Sequence, residues 1–345
     1  MASVHSVASG SRSNGGSNKS TWHWQPPVPV EEVPVFVWPV RPVAVLKFLL
    51  GWAYLGSTIV PFCALSALSW FYLQPALERC KTLEFDWIVQ MFARNMVLLV
   101  VIVTALHLYL HTFKRQGNDR KFDTRDFVTD DAKFFGHNQL VDNIFWTCAS
   151  GVPLWTAYEV FYMWAYANEM LPVFLDWREH PALFFGWFLA IPFWSALHFY
   201  FTHRLLHWRP VYRLVHAVHH RNVNLGPWAG FSMHPIEHVI YLSTVLIHVL
   251  VLSHPLHVIF HLQWQAIGAN TSHAGFEALT LRGKPVIYLT SYFHQMHHRY
   301  YDCNYGNPLI VGDKWFGSYH NGTAASWEAI KARRQQKSQA ASRIA

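Results

Sequence analysis

Apolar residues in this chain gather into long runs, with little of the alternation that marks a half-exposed strand or the stripe that marks a surface helix. From Phe48 to Leu77 no side chain is charged. A helix rising 1.5 Å per residue needs about 20 residues to cross a bilayer, so this run predicts one tilted crossing, with Pro61 as a place to bend. Further runs extend from Asn95 to Phe113, from Ile144 to Asn168 and from Pro181 to Phe201. The third contains Pro153 and Glu159, and an acid in such a position is functional, paired across helices or placed at an interface. A last apolar stretch, Val239 to Ala269, is interrupted by His248, His254, Pro255, His257 and His261. It predicts two short helices broken near Pro255, entering the bilayer and returning as a hairpin whose histidines are structural or line a tunnel.

The polar stretches complete the outline. Residues 1 to about 25 are rich in Ser, Gly and Asn, are too polar to order themselves, and show no apolar run of the kind a cleaved signal would need. Six prolines between Pro26 and Pro42 then predict an extended linker. Lys114 to Lys133 mixes six basic with five acidic residues and predicts a soluble loop. The tail from Lys331 to Arg343 is basic and helix-prone, solvated or resting on anionic lipid. The expected organisation is a disordered tail and Pro-rich linker over 1–42, membrane helices and their loops over 43–180, a histidine-rich domain over 181–320 and a basic tail over 321–345. The expected fold class is an all-α membrane protein of about four transmembrane helices, with a re-entrant helical hairpin and a helical cap on the cytoplasmic side.

Composition supports the membrane reading: 52% of the 345 residues are hydrophobic and only 14% charged, against about 25% in soluble domains. The net charge of +7 fits basic cytoplasmic loops, and no basic run is long enough to track a nucleic-acid backbone. Lys114, Arg115, Arg120, Lys121, Arg125 and Lys133 follow the second run, Arg178 alone separates the third from the fourth, and Arg204, Arg209, Arg213 and Arg221 follow the fourth. Four crossings with both termini cytoplasmic satisfy this distribution. Cys63, Cys80, Cys148 and Cys303 form no CxxC pair and read as free thiols.

The chemistry lies in histidine. Seventeen of the 23 histidines fall between His198 and His320. Three groups stand out: His203-Arg-Leu-Leu-His207, His216-Ala-Val-His219-His220 and His294-Gln-Met-His297-His298. Read as helix, these are an i, i+4 pair and two i, i+3, i+4 triplets, so each group is expected to aim its imidazoles at one point. Eight neutral imidazoles suit a pair of metal ions, with iron, zinc, copper and nickel all admissible by donor type. A lone histidine near a membrane is more often a satisfied core or interfacial residue; repeated HxxHH is not so easily explained.

In the order and spacing of these groups the chain resembles the fatty acid hydroxylase superfamily of membrane non-haem di-iron enzymes, which includes sterol desaturases, sterol C4-methyl oxidases, and sphingolipid and carotenoid hydroxylases. The resemblance covers roughly Phe193 to Gly317. It extends to His234-Pro-Ile-Glu237, similar to an HPxE element of sterol-modifying members, and to Asn304-Tyr305-Gly306 and Asp313-Lys314-Trp315-Phe316-Gly317. Ser272-His273-Ala274-Gly275 is similar to the HSG of sterol C4-methyl oxidases and adds His273 to the expected ligands. Where other members have a partner four residues earlier this chain has Ala269, which leaves His261, Asn270 or a water to complete the shell, with His234 and His238 as ligands or as groups that fix ligand geometry.

The resemblance implies two irons held by His203, His207, His216, His219, His220, His273, His294, His297 and His298, with molecular oxygen as co-substrate. It implies a membrane lipid as substrate, a sterol before a fatty acyl chain or sphingolipid. It also implies electrons from cytochrome b5 or an NAD(P)H-dependent reductase, and a place in the endoplasmic reticulum with the metals facing the cytoplasm. Hydroxylation and desaturation share their first hydrogen abstraction and are not separated by these motifs. A divalent-metal transporter is the competing class, but transporters place ligands near the bilayer midplane and often carry internal repeats, whereas here the clusters sit at span ends and no repeat is visible. A non-catalytic relative acting as a scaffold would be marked by lost ligands, and the eight cluster histidines are all present.

Overall fold

The computed structural model describes residues 22–344, so the expected disordered tail falls mostly outside the described residues. The chain is predominantly helical. Helix α1 runs Pro42–Leu73 and α2 Phe85–Thr112; α3 covers 139–167 and α4 Pro181–Leu206. A short helical segment, α5, spans 209–220, followed by α6 at Pro235–Val249 and α7 at Pro255–Ser272. Strands β1 (Ala278–Leu281) and β2 (Lys284–Tyr288) precede α8 (Tyr292–Tyr300) and α9 (Ala324–Ile344).

By length and composition, α1, α2 and α4 are the three described helices able to cross a membrane. Helix α3 carries the third apolar run but is not one of these three. It buries Trp155, Tyr162 and Met163 in the core shared with α2 and α7. Helix α2 begins at Phe85 rather than near Asn95, and so takes Arg94 inside. That is tolerable because Arg94 is paired: its guanidinium lies 2.5 Å from Glu159 on α3, with both side chains buried, and it also donates to Gln74 at 2.7 Å. Asn95 donates to the other Glu159 oxygen at 3.0 Å. Glu159 is therefore the acid of an inter-helix pair, one of the three readings its position allowed.

The break before Pro255 is present. Pro255 opens α7 at a position where its missing N–H costs nothing, and His254 Nδ1 accepts from the Leu256 N–H at 3.0 Å. Helix α7 is the central column. Val258, Ile259, Phe260, His261, Leu262 and Gln263 are consecutive and all buried, which is why its sequence shows no amphipathic stripe.

Two features lie outside the all-α expectation. The β1–β2 hairpin turns at Arg282 and Gly283, both in the left-handed region at φ 51° and 73°, the conformation of a tight two-residue hairpin turn. It is tied to α1 by the Trp52 indole, which donates to the Val286 carbonyl at 2.7 Å. The end of the tail expected to stay disordered, from Trp22, and the Pro-rich linker after it instead pack against the protein. Trp22 stacks edge-on with Tyr292 of α8 at 5.1 Å and lies under Arg299 at 4.1 Å, while the Val30 N–H donates to Asn321 at 2.8 Å. The start of α9 also docks, with Trp327 on Tyr300 at 4.3 Å and Arg334 on Asp302 at 2.8 Å. All four cysteines are free.

Candidate metal centre

The end of α4, α5, the end of α7 and α8 converge, and the nine histidines singled out above meet there in two groups. The first comprises His203, His207, His216, His220 and His297, and the second His219, His273, His294 and His298; within each group one ring nitrogen per residue lies within 4.8 Å of the others. The expectation that each sequence triplet aims at one point is corrected. In both HxxHH triplets the first and last rings serve one group and the middle ring the other: His216 and His220 against His219, His294 and His298 against His297. Neighbouring residues project about 100° apart around a helix, so the two histidines of an HH pair diverge. His203 and His207, one turn apart, stay together.

Six of the nine rings are fixed from behind. Nδ1 lies against Tyr305 O in His203 (2.6 Å), Glu237 Oε1 in His216 (2.7 Å) and Ser232 O in His219 (3.3 Å). It lies against Ala269 O in His273 (2.7 Å), Cys303 O in His297 (2.6 Å) and Asn222 O in His298 (3.1 Å). A ring nitrogen facing an oxygen acceptor must carry the hydrogen, and a neutral imidazole has only one, so Nε2 of these six rings is a bare lone pair. These lone pairs point inward. His203 Nε2 and His216 Nε2 are buried with no protein partner. His273 Nε2 and His298 Nε2 approach to 3.1 Å although neither has a hydrogen to give. The Nε2 atoms of His207, His220 and His297 form a triangle of 3.0–3.2 Å. About 3.0 Å separates neighbouring donors set at right angles around a centre about 2.1 Å from each. Lone pairs facing one another repel unless a cation lies between them, so the donor set fits metal ions. Burial first, and then the neighbouring rings, hold His216, His220, His297 and His298 well below the ordinary histidine range, and burial takes His219 down to about 4. All five are therefore neutral, ligand-ready imidazoles at physiological pH.

The holders of these rings explain the smaller motifs. Glu237, the acid of His-Pro-Ile-Glu, bonds His216. Asp313 accepts from the Tyr305 N–H at 2.9 Å and the Gly306 N–H at 2.8 Å, which turns the Tyr305 carbonyl toward His203. Asn304, at φ 55°, anchors the same loop through Phe293 O and His320 O. Gly230 lets the loop bearing Ser232 press onto α7, since a Cβ there would sit 2.0 Å from Ala269 O. Sequence spacing did not assign these roles; an acid or amide beside a histidine motif was the only available signal.

The histidines left open lie elsewhere. His234 caps α6 by accepting from the Ile236 N–H. His238 is engaged at both nitrogens, by Ser150 and Phe231 O, and His261 likewise by Ser195 and His248.

Beside the cluster lies a cavity of about 630 Å³, walled mainly by apolar side chains. Its lining includes His203, His216, His219, His273 and His294 of the cluster, and Tyr54 and Phe62 of α1.

With this geometry, the relatives are informative. Residues 187–318 match the family model described as fatty acid hydroxylase. These residues form a fatty acid hydroxylase domain. All nine clustered histidines fall inside it. The chain is similar to a Delta(7)-sterol 5(6)-desaturase of Saccharomyces cerevisiae, 30% identical over 147 residues, 42% of this chain and 39% of the relative. It is also similar to a methylsterol monooxygenase of Aspergillus fumigatus, 30% identical over 185 residues, 47% of this chain and 60% of the relative. Human lathosterol oxidase is 30% identical over 136 residues, 39% of this chain and 44% of that protein. In each case the hydroxylase domain and its flanks span less than two thirds of the relative. No solved structure matches the chain significantly.

Proposed function

We propose that this protein is a membrane-bound, iron-dependent and oxygen-using lipid oxidoreductase, a hydroxylase or desaturase acting on a sterol. The observation that carries the reading is a largely apolar cavity whose lining includes five histidines of the cluster. A purely structural cluster would not leave bare ring nitrogens beside a space of lipid dimensions, and a cation pathway would call for a polar wall. Relatives named for sterol desaturation and methylsterol oxidation favour a sterol, and they divide between two reactions, so both stay within the proposal.

His203, His207, His216, His220 and His297 would hold one iron, and His219, His273, His294 and His298 the other. When bound, the metals supply the activation of oxygen that side chains cannot. The protein supplies the rest. Backbone carbonyls and Glu237 fix ring orientation, and the apolar wall keeps water from the reacting carbon and takes the hydrocarbon body of the substrate. Electrons would come from a soluble or membrane donor such as cytochrome b5 or an NAD(P)H-dependent reductase, with the site at the cytoplasmic face of the endoplasmic reticulum.

The test is sterol profiling of a sterol-mutant host expressing the wild type or His297→Ala. A hydroxylated or more unsaturated sterol seen only with the wild type is expected. New hydroxy acyl or sphingoid products would move the substrate to another lipid. Unchanged lipids with altered cellular metal would overturn the enzyme reading in favour of transport.

A further inference from the structure

Helix α9 lies beyond the matched domain, which ends at residue 318, yet its start packs on the loop that follows α8. Ile330 is buried, and Trp327 stacks on Tyr300 at 4.3 Å. Two neighbouring arginines then grip the loop. Arg333 donates to the Asp302 and Gly317 carbonyls, one at each end of it. Arg334 donates to the Asp302 carboxylate at 2.8 Å and to the carbonyl of Tyr300, the last residue of α8. The last carbonyls of a helix lack intrahelical donors and favour a cation, which suits a guanidinium at this place. Asp313 and Asn304 shape the turn inside the loop, whereas the arginines join its ends to each other and to α8.

Between those ends lie groups that hold the histidines. Cys303 O faces His297 Nδ1 and Tyr305 O faces His203 Nδ1, both at 2.6 Å, and the Tyr301 hydroxyl donates to the His220 carbonyl at 3.2 Å. All three histidines belong to the group of five. The backbone partners in the group of four, Ser232 O, Ala269 O and Asn222 O, come from other parts of the chain. We infer that Arg333 and Arg334 are positioning residues for the metal of the five-histidine group: they hold the loop so that its carbonyls fix His297 and His203. This rests on the metal-binding reading proposed above and deepens it, because it makes one of the two metals depend on a tail outside the hydroxylase domain.

The experiment strips the full-length protein in detergent, reloads it with ferrous iron under argon and measures each binding constant by competition with a chelator. The wild type is expected to bind two irons. The double substitution Arg333→Ala, Arg334→Ala is expected to weaken one iron by about 10–100-fold, the scale of a lost outer partner, and to leave the other at wild-type affinity. His261→Phe, which loosens the helix packing without touching the loop, is expected to leave both at wild-type affinity. Unchanged binding of both irons in the double variant would overturn the inference and leave the metal reading standing. So would equal weakening of both irons, or the same selective loss in His261→Phe, since either marks a general loosening of the fold. A wild type that binds fewer than two irons would overturn the two-metal reading and the inference together. The single variants, scored in the same way, decide the matter if the double variant fails to fold.

Discussion

Two regions of this molecule are rich in buried histidine, and they differ in where the ring nitrogens point. In the core between α4, α6 and α7, His248 Nδ1 meets Ser253 at 3.0 Å and its Nε2 meets His261 Nδ1 at 3.2 Å. His261 Nε2 meets Ser195 at 3.0 Å. His257 is held by the His254 N–H and by Phe184 O. Every ring nitrogen of His248, His257 and His261 has a protein partner, which is what hydrogen-bonded helix packing requires. At the domain's other histidine cluster six of the nine rings are held at Nδ1 only, and inner nitrogens face each other or have no protein partner. Burial is alike in the two places. The bare lone pairs set the proposed metal ligands apart from histidines that brace.

The largest effect that separates the two regions should be in metal content. His220→Ala removes an inner donor. It is expected to abolish turnover and to weaken metal binding by more than the ~10–100-fold that loss of an outer partner costs. His261→Phe removes the partner of the Ser195 hydroxyl and of His248 Nε2 and is expected to cost about 1–3 kcal/mol of stability, with metal per folded molecule unchanged. Metal analysis and thermal unfolding of both variants provide the check. Equal metal loss in the two would erase the distinction.

A smaller effect concerns pH. His219, held down to about 4 by burial, ordinarily titrates near 6.5. As pH falls through 6.5 the unfolded chain takes up a proton that the folded ring refuses. The stabilisation is therefore complete above pH 6.5 and is lost as pH falls toward 4, at about 1.4 kcal/mol per unit while it lasts. His216, His220, His297 and His298 are shifted in the same direction. Chelator-treated protein should therefore lose melting temperature between pH 7 and pH 5, and the metal-loaded form, whose ligand rings must stay unprotonated, should start higher and lose at least as much. A flat profile for the stripped protein would mean that the cluster is not a set of neutral rings.

These contrasts were only partly legible in the sequence. Helical spacing singled out eight of the nine histidines, because i, i+3 and i+4 positions share a broad face, and the family resemblance of Ser272-His273-Ala274-Gly275 added His273. It did not reveal the division into five and four, because that depends on how α5 and α8 face each other across the site. Nor did it distinguish His261 from His273: both lie in or beside α7, and only the tertiary placement of Ser195 and Thr244 satisfies one ring while the other is left open. The span at α2 was cut short at Asn95 because Arg94 looked like a boundary, and its partner Glu159 is 65 residues away in sequence. The β1–β2 hairpin was hidden by its short strands and by Pro285, although Arg282-Gly283 is a turn-forming pair. The ordered linker owes its place to Trp22 and Val30 finding partners on α8 and near Asn321, which local composition does not encode.

The smallest expected effect belongs to a histidine in neither region. His180 precedes α4, its side chain makes no cap to the helix, and its ring is exposed with an edge against Phe174 at 5.6 Å. No buried group depends on it, so His180→Ala should change stability by no more than about 0.5 kcal/mol. Metal content and turnover should match the wild type. The variant matters because it tests the rule from the opposite side: a histidine at the far end of α4 from His203 and His207, exposed and touching the buried Phe174 only by a ring edge, should be silent in both assays. Loss of metal in His180→Ala comparable to that in His220→Ala would show that the binding site extends to the far end of α4, and that the count of inward-facing nitrogens is incomplete.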